Sequence, residues 1–314
     1  VDKEILYDRR HVQPINTVSV YEGMLARGWV VEYERGRVAL SGPALRLFEF
    51  FDRTFARLGE TMDAAPIKFP VLISVDTLKR ADYFSSFPHH ITVASHFSEQ
   101  AEGILSFARH YEETGEVDFQ QVEQHAGHVC SPAVCFHQYE ALRGSTLPGV
   151  VRTTAVGPCF RYESENMTTL ERLWDFTMRE IIFVGPVDEV DALRRSAMEP
   201  VVAFVEELGL QSWIETASDP FFVNNYAGQT FYQLSHKTKY ELQLTIPGEK
   251  TGSLAAASFN GHQTFFADKF GIKVPEGDAG TACVAFGVER WVYAFLAQWG
   301  LDITRWPEAV TARW

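Results

Sequence analysis

Residues 240–246 alternate without a break: Tyr240, Leu242, Leu244 and Ile246 are apolar, and Glu241, Gln243 and Thr245 between them are polar. A period of two puts the two sets on opposite faces of a strand. A sheet with one half-polar face is built from antiparallel strands, because parallel sheets bury both faces under crossover helices. The other strand-like runs fit that frame. Val150–Val156 and Ile181–Val184 are β-branched runs suited to central strands, and Pro70–Ser74 is a shorter one. Thr281–Phe286 reads as a strand that passes through Gly287 into a helix from about Glu289 to Trp299. The fold class expected is α+β, mainly antiparallel sheet flanked by helices, rather than a doubly wound one. There is neither a Gly-x-x-x-x-Gly-Lys loop nor a Rossmann glycine fingerprint, so nucleotide binding would need another device.

The 314 residues allow one large domain with a small appendage. Residues 1–62 read as that appendage: strand-like pieces around Trp29–Tyr33, then a helix opened by Ser41-Gly42-Pro43 with Ala44, Phe48, Phe51, Phe55 and Leu58 on one face. Residues 63–314 read as the main, catalytic-sized domain. Ser98–Tyr111 is expected to be helical. So is Val187–Leu208, bent at Pro200 and stopped by Gly209. With 28 basic against 41 acidic residues the net charge is −13, which argues against general nucleic-acid binding. No apolar run approaches the roughly 18 residues of a membrane span. Val1-Asp2-Lys3-Glu4 does not open a secretory signal. A cytoplasmic protein without a membrane role is expected. Its four cysteines form no Cys-x-x-Cys pair, so reduced thiols are the default, and Cys159, beside Phe160 on a core strand, is expected to be structural. His125-x-x-His128-x-Cys130 has compact metal-like spacing, although loop histidines are more often solvated.

Three segments carry the chemistry. Phe160-Arg161-Tyr162-Glu163 is followed by a polar loop and by Arg172-Leu173-Trp174-Asp175-Phe176-Thr177-Met178-Arg179-Glu180. Phe286-Gly287-Val288-Glu289-Arg290 lies at a strand-to-helix junction, and Pro88 ends Tyr83-Phe84-Ser85-Ser86-Phe87. Together and in order they resemble the three signature motifs of class II aminoacyl-tRNA synthetases. Activating a carboxylic acid with ATP requires cations on a polyphosphate, and a guanidinium forks onto phosphate oxygens and stabilises charge developing at phosphorus. The resemblance implies that residues 63–314 form a class II synthetase-like catalytic domain. In it Arg161 would hold the α-phosphate and the substrate carboxylate, and Arg290 the γ-phosphate. Glu163 would read the adenine amino group, Phe176 would stack on the ring, and Arg172 would hold the bent triphosphate with its Mg²⁺.

Ser131-Pro132-Ala133-Val134-Cys135-Phe136, Glu180 and Cys283 resemble the Cys, Glu, Cys zinc triad of one seryl-tRNA synthetase branch. That branch holds the methanogen-type seryl enzymes and short bacterial homologues that charge a carrier protein. Three protein ligands leave a fourth position open, the pattern of a catalytic zinc; by the resemblance it takes the substrate α-amino group. Lys239-Tyr240-Glu241-Leu242-Gln243 resembles the Lys-Tyr-Asp-Leu-Glu strand of seryl synthetases, which adds Glu241 to the ATP-binding set. Ser258 and Asn260 fall where those enzymes place substrate or Mg²⁺ contacts, although Leu254-Ala255-Ala256-Ala257 replaces a segment that often carries a Glu.

For the acceptor, no heptad-rich hairpin of the kind that grips tRNA is evident. The charge of −13 also makes tRNA the less favoured partner. The resemblance therefore implies an amino acid:carrier-protein ligase. It would activate a small amino acid, glycine or alanine favoured, and pass it to the phosphopantetheine thiol of an acyl or peptidyl carrier protein. The segment from about Asn224 to Lys239, with His236, Lys237 and Lys239, is the candidate docking element for that carrier. A homodimer is expected from the synthetase fold. The rival functions are a true seryl-type tRNA synthetase and a catalytically inactive paralogue. Against the last, Arg161, Glu163, Phe176, Arg290 and the triad are all present.

Overall fold

The computed structural model describes residues 3–119, 123–219, 233–234 and 236–312. In chain order the first half runs β1 (Ile5–Asp8), α1 (Tyr21–Ala26), β2 (Val30–Glu34), β3 (Arg37–Leu40), α2 (Gly42–Thr61), β4 (Ala65–Pro66), β5 (Leu72–Ser74), α3 (Val75–Arg80), α4 (Tyr83–Ser86), β6 (Val93–Phe97), α5 (Ala101–Thr114), β7 (Glu123–Cys130) and α6 (Cys135–Ala141). The second half runs β8 (Val151–Phe160), β9 (Asp175–Pro186), α7 (Val187–Ser196), α8 (Met198–Glu207), β10 (Ser212–Thr216), β11 (Lys239–Thr245), β12 (Ser253–Gly261), α9 (Phe265–Phe270), β13 (Ala279–Gly287), α10 (Val288–Trp299) and α11 (Glu308–Thr311).

Eight strands form one sheet in the order β1-β10-β11-β12-β13-β9-β8-β4. Every pairing in it is antiparallel except the short parallel β4–β8 contact. The antiparallel α+β architecture expected from the 240–246 alternation is the one observed.

Alternation sorts the side chains. Ile181, Phe183, Ala282, Val284, Phe286, Phe259, Tyr240, Leu242 and Leu244 form one apolar face, buried with residues of α2, α8 and α10. There Phe55 of α2 stacks on Phe286 at 4.2 Å and packs on Trp291 of α10. Helix α2 lies close to β8 because Gly59 faces Thr154, where a Cβ would come within 2.9 Å. Arg179 of β9 reaches through to Asp52 of α2 with two hydrogen bonds of 2.5 and 3.1 Å. Residues 1–62, expected as an appendage, thus supply an edge strand of the main sheet and a helix that packs by one face on its core.

The long helix over 187–208 is two helices that meet at Ala197. Pro200 has no N–H to offer the carbonyl four residues back at Ser196, and its ring crowds that carbonyl, so the break falls one turn before the proline. The three-stranded sheet β5-β7-β6 and α5 form a separate ledge. No residue of α5 is buried, and Val93, Phe97, Leu105, Tyr111, Val117 and Phe119 are exposed around it. Among the described residues no helix is long and apolar enough to cross a membrane.

Candidate active site

Cross-strand partners in an antiparallel ladder point to the same face. One row across five strands is therefore Ala155, Glu180, Ala285, Ser258 and Glu241, and the next is Thr153, Ile182, Cys283, Asn260 and Lys239. These rows lie on the face opposite the large aromatic core. Half-polar alternation in β11 suggested a wetted face, but Lys239 and Gln243 are 8% and 9% exposed. The polar set of that strand lines a covered site rather than open water.

The register brings Glu180 of β9 diagonally beside Cys283 of β13, and α6 lowers Cys135 onto both. The ligand atoms of Cys135, Glu180 and Cys283 all lie within 4.8 Å of one another and are buried, the one such group among the described residues. Glu180 Oε1 accepts the Val134 and Cys135 amides at 2.8 and 3.3 Å, while its buried Oε2 has no partner. An orphaned carboxylate oxygen beside two thiols is a donor set that suits zinc. The Cys283 thiol, burial and the Glu180 carboxylate together push the Cys135 thiol well up. Burial raises Glu180 as well, against the two amides that lower it. His125, His128 and Cys130 do not converge in this way: they lie along β7, where His125 and His128 are exposed and His128 Nδ1 contacts the Ala126 carbonyl at 2.7 Å. Cys159 is fully buried among Val134, Ala155, Met178 and Ala285, as a structural thiol would be.

Three guanidiniums, Arg161, Arg172 and Arg290, lie near enough for their charges to act on one another. Arg161 Nε donates to the Pro132 carbonyl at 3.0 Å, and its guanidinium lies 5.5 Å from the Phe176 ring centroid. Arg290 donates to the Glu171 and Ala255 carbonyls at 2.8 and 3.0 Å. Among the described residues neither Arg161 nor Arg290 forms an ion pair. Of the five N–H groups each guanidinium carries, four on Arg161 and three on Arg290 have no hydrogen-bond partner among the described residues. Burial, then the charges of Arg172 and Arg161, depress the Arg290 pKa. Like charges held together with unused donors make a place for a polyanion. Glu163 pairs with Arg172 across the polar loop; burial raises its carboxyl, but the charges of Arg172 and Arg290 bring it below the usual carboxylate range.

On the metal side, Asn260 Nδ2 donates to Ser258 Oγ at 2.9 Å and to Cys283 Sγ at 3.4 Å. Both residues thus border the Cys–Glu–Cys cluster. Glu241 is 3.1 Å from Lys239, whose ammonium also pairs with Asp219. This partly buried Asp219–Lys239–Glu241 chain, with Gln233 bonded to Asp219 at 2.8 Å, escaped the sequence reading. The sequence named Lys239 for docking and Glu241 for ATP, but nothing in it joined the two to Asp219. The docking element expected over Asn224–Lys239 lies largely outside the described residues. Within it, Lys237 is about half exposed and pairs with Glu4 at 2.9 Å, while Lys239 is buried.

The chain is 31% identical to amino acid–[acyl-carrier-protein] ligase 1 of Bradyrhizobium diazoefficiens over 247 residues, which cover 78% of this chain and 74% of that protein. The chain belongs to the amino acid–[acyl-carrier-protein] ligase family. The family is a class II synthetase homologue, and the other similarities agree. The type-2 serine–tRNA ligase of Methanopyrus kandleri is 28% identical over 313 residues, covering 94% of this chain and 59% of that protein. The chain therefore spans about three fifths of the seryl relative's length. Its fold superposes with a TM-score of 0.88 and 26% identity on the M. kandleri seryl-tRNA synthetase crystallised with A. aeolicus tRNASec, covering 100% of this chain and 62% of that one. No family model matches the chain. Ligase chemistry of the synthetase kind is thus supported by relatives, by the fold and by a cation-rich site.

Proposed function

We propose that this chain activates a small amino acid with ATP and Mg²⁺ as its aminoacyl adenylate, then transfers it to the phosphopantetheine thiol of a carrier protein in the cytoplasm. The observation that carries the reading is the relation to the carrier-protein ligase over most of both chains, together with the mutually close guanidiniums and the Cys–Glu–Cys cluster. Arg161 would hold the substrate carboxylate against the α-phosphate, Arg172 and Arg290 the β- and γ-phosphates, and Phe176 and Glu163 the adenine. For this, ATP must open the Glu163–Arg172 pair, freeing the carboxylate for the adenine amino group and the guanidinium for phosphate. Cys135, Glu180 and Cys283 would hold zinc, which supplies a Lewis-acid anchor for the substrate amine, and Ser258 and Asn260 would border the substrate. Pyrophosphate leaves in the first step. In the second, the thiol sulfur bonds the carbonyl carbon as the anhydride C–O bond breaks; AMP leaves with the electron pair and the thiol proton passes to solvent. The adenylate is already activated, so transfer needs mainly positioning.

The exposed apolar ledge of β6, β7 and α5 is where we place a second copy in a homodimer. A tRNA acceptor is the second reading, favoured by the 28% identity to a serine–tRNA ligase over 94% of this chain. Amino-acid-dependent ATP–pyrophosphate exchange on zinc-assayed protein tests the first step. Label transfer to a holo carrier protein or to tRNA then separates the acceptors. Exchange with no amino acid would refute the activation step.

A further inference from the structure

The junction that carries Arg290 also carries Glu289, a residue the proposed chemistry leaves without a task. The β9–β13 ladder ends at Met178–Gly287, where β13 turns into α10. The next residue of β9, Thr177, stays paired with Pro158 of β8 but has no strand on the β13 side. Both oxygens of the Glu289 carboxylate take that amide, at 3.0 and 2.9 Å. One residue on, Arg290 Nε donates to the carbonyl of Glu171 at 2.8 Å. The first turn of α10 thus grips Glu171 and Thr177, the two ends of a seven-residue stretch. Arg172 and Phe176 lie between them. Glu289 is 8% exposed, so its carboxylate was taken out of water to make this bond. An amide left open on one side of a strand could have been satisfied by solvent or by an ordinary side-chain hydroxyl at far smaller cost.

We propose that Glu289 is a positioning residue for ATP: with Arg290 it clamps the segment from Glu171 to Thr177, holding Phe176 and Arg172 where the nucleotide needs them. The clamp acts through the backbone, so it predicts a defect in ATP binding rather than in the chemical step. It rests on the reading that Phe176 and Arg172 meet ATP.

Two measurements test it, on the full chain. The first is amide hydrogen exchange by mass spectrometry over residues 171–178 in wild type, Glu289→Gln and Glu289→Met. Glutamine keeps a carbonyl acceptor and methionine does not. Exchange at least tenfold faster in the Met variant, and within threefold of wild type in the Gln variant, is expected. The second is steady-state ATP–pyrophosphate exchange. The KM for ATP should rise at least tenfold in the Met variant with kcat within about threefold, and Gln should restore it. Where the Met variant is not recovered folded, Glu289→Ala reads the same loss. Unchanged protection and KM without the acceptor would overturn the proposal, as would a Gln variant as impaired as the Met variant. A wild type that exchanges no pyrophosphate would refute the activation reading alone, since amide protection still decides the clamp.

Discussion

Loading the Cys135–Glu180–Cys283 cluster with zinc should release about two protons at neutral pH. Thiols ligate zinc only as thiolates. The Cys135 thiol is raised well above its ordinary value by the Cys283 thiol, by burial and by Glu180. Metal binding must therefore drive off the thiol protons itself. Two protons per metal make the apparent affinity rise about a hundredfold per pH unit, or about 2.7 kcal/mol, at pH values below the ordinary thiol pKa of about 8.5. Titration calorimetry between pH 6 and 8, in buffers of different ionisation enthalpy, reads both the proton count and the slope. Cys135→Ala and Cys283→Ala should each abolish stoichiometric binding. Release of less than one proton, or zinc retained by both variants and lost on His125→Ala, would refute the reasoning.

Three other outcomes are expected. Burial pushes the Glu289 carboxyl from its ordinary 4.5 up to about 7, against hydrogen bonds from Thr177 that lower it. Its contribution to stability is thus full below pH 4.5 and lost as pH rises through 7, so Glu289→Gln should match wild type in melting near pH 4.5 and exceed it above pH 7 by up to about 3 kcal/mol; a constant difference across pH would contradict this. Asp52→Ala should lower stability by about 3 kcal/mol in urea unfolding, because it strands the buried Arg179 guanidinium; a loss under 1 kcal/mol would show the pair to be incidental. Arg161→Ala should lower the rate of amino-acid-dependent pyrophosphate exchange by at least about a hundredfold, and near-normal exchange would remove Arg161 from the active site.

Much of the fold was legible because its signals are local. The alternation over 240–246 announced antiparallel pairing, and β8, β9, β13 and α10 lie within a few residues of the runs that suggested them. Pro200 marked a bend, but the chain breaks one turn earlier, since a proline acts on the carbonyl four residues before it. The face of α2 was only roughly readable: Phe48 and Leu58 are half-buried, while Leu47 and Phe50 go fully inside. Which side of a helix is buried depends on what it meets, here Phe286 and Trp291. Asp219–Lys239 and Glu289–Thr177 were not legible, because a buried ion pair or a carboxylate on a distant amide leaves no periodicity.

What the sequence determined by itself is the chemical inventory and the class of scaffold: guanidiniums at a strand end and at a strand-to-helix junction, two cysteines and a glutamate, and strands of period two. Only the tertiary structure decided that Cys135, Glu180 and Cys283 meet, and that Arg161 and Arg290 come close without ion-pair partners among the described residues. The reason is register. Each of these contacts joins residues far apart in the chain, and a one-residue slip between β9 and β13 would turn Cys283 away from Glu180 and into the aromatic core. Nothing within a single strand specifies that pairing. It is set by the whole sheet, which buries its aromatic face under α2 and α10 only when the opposite face assembles the site.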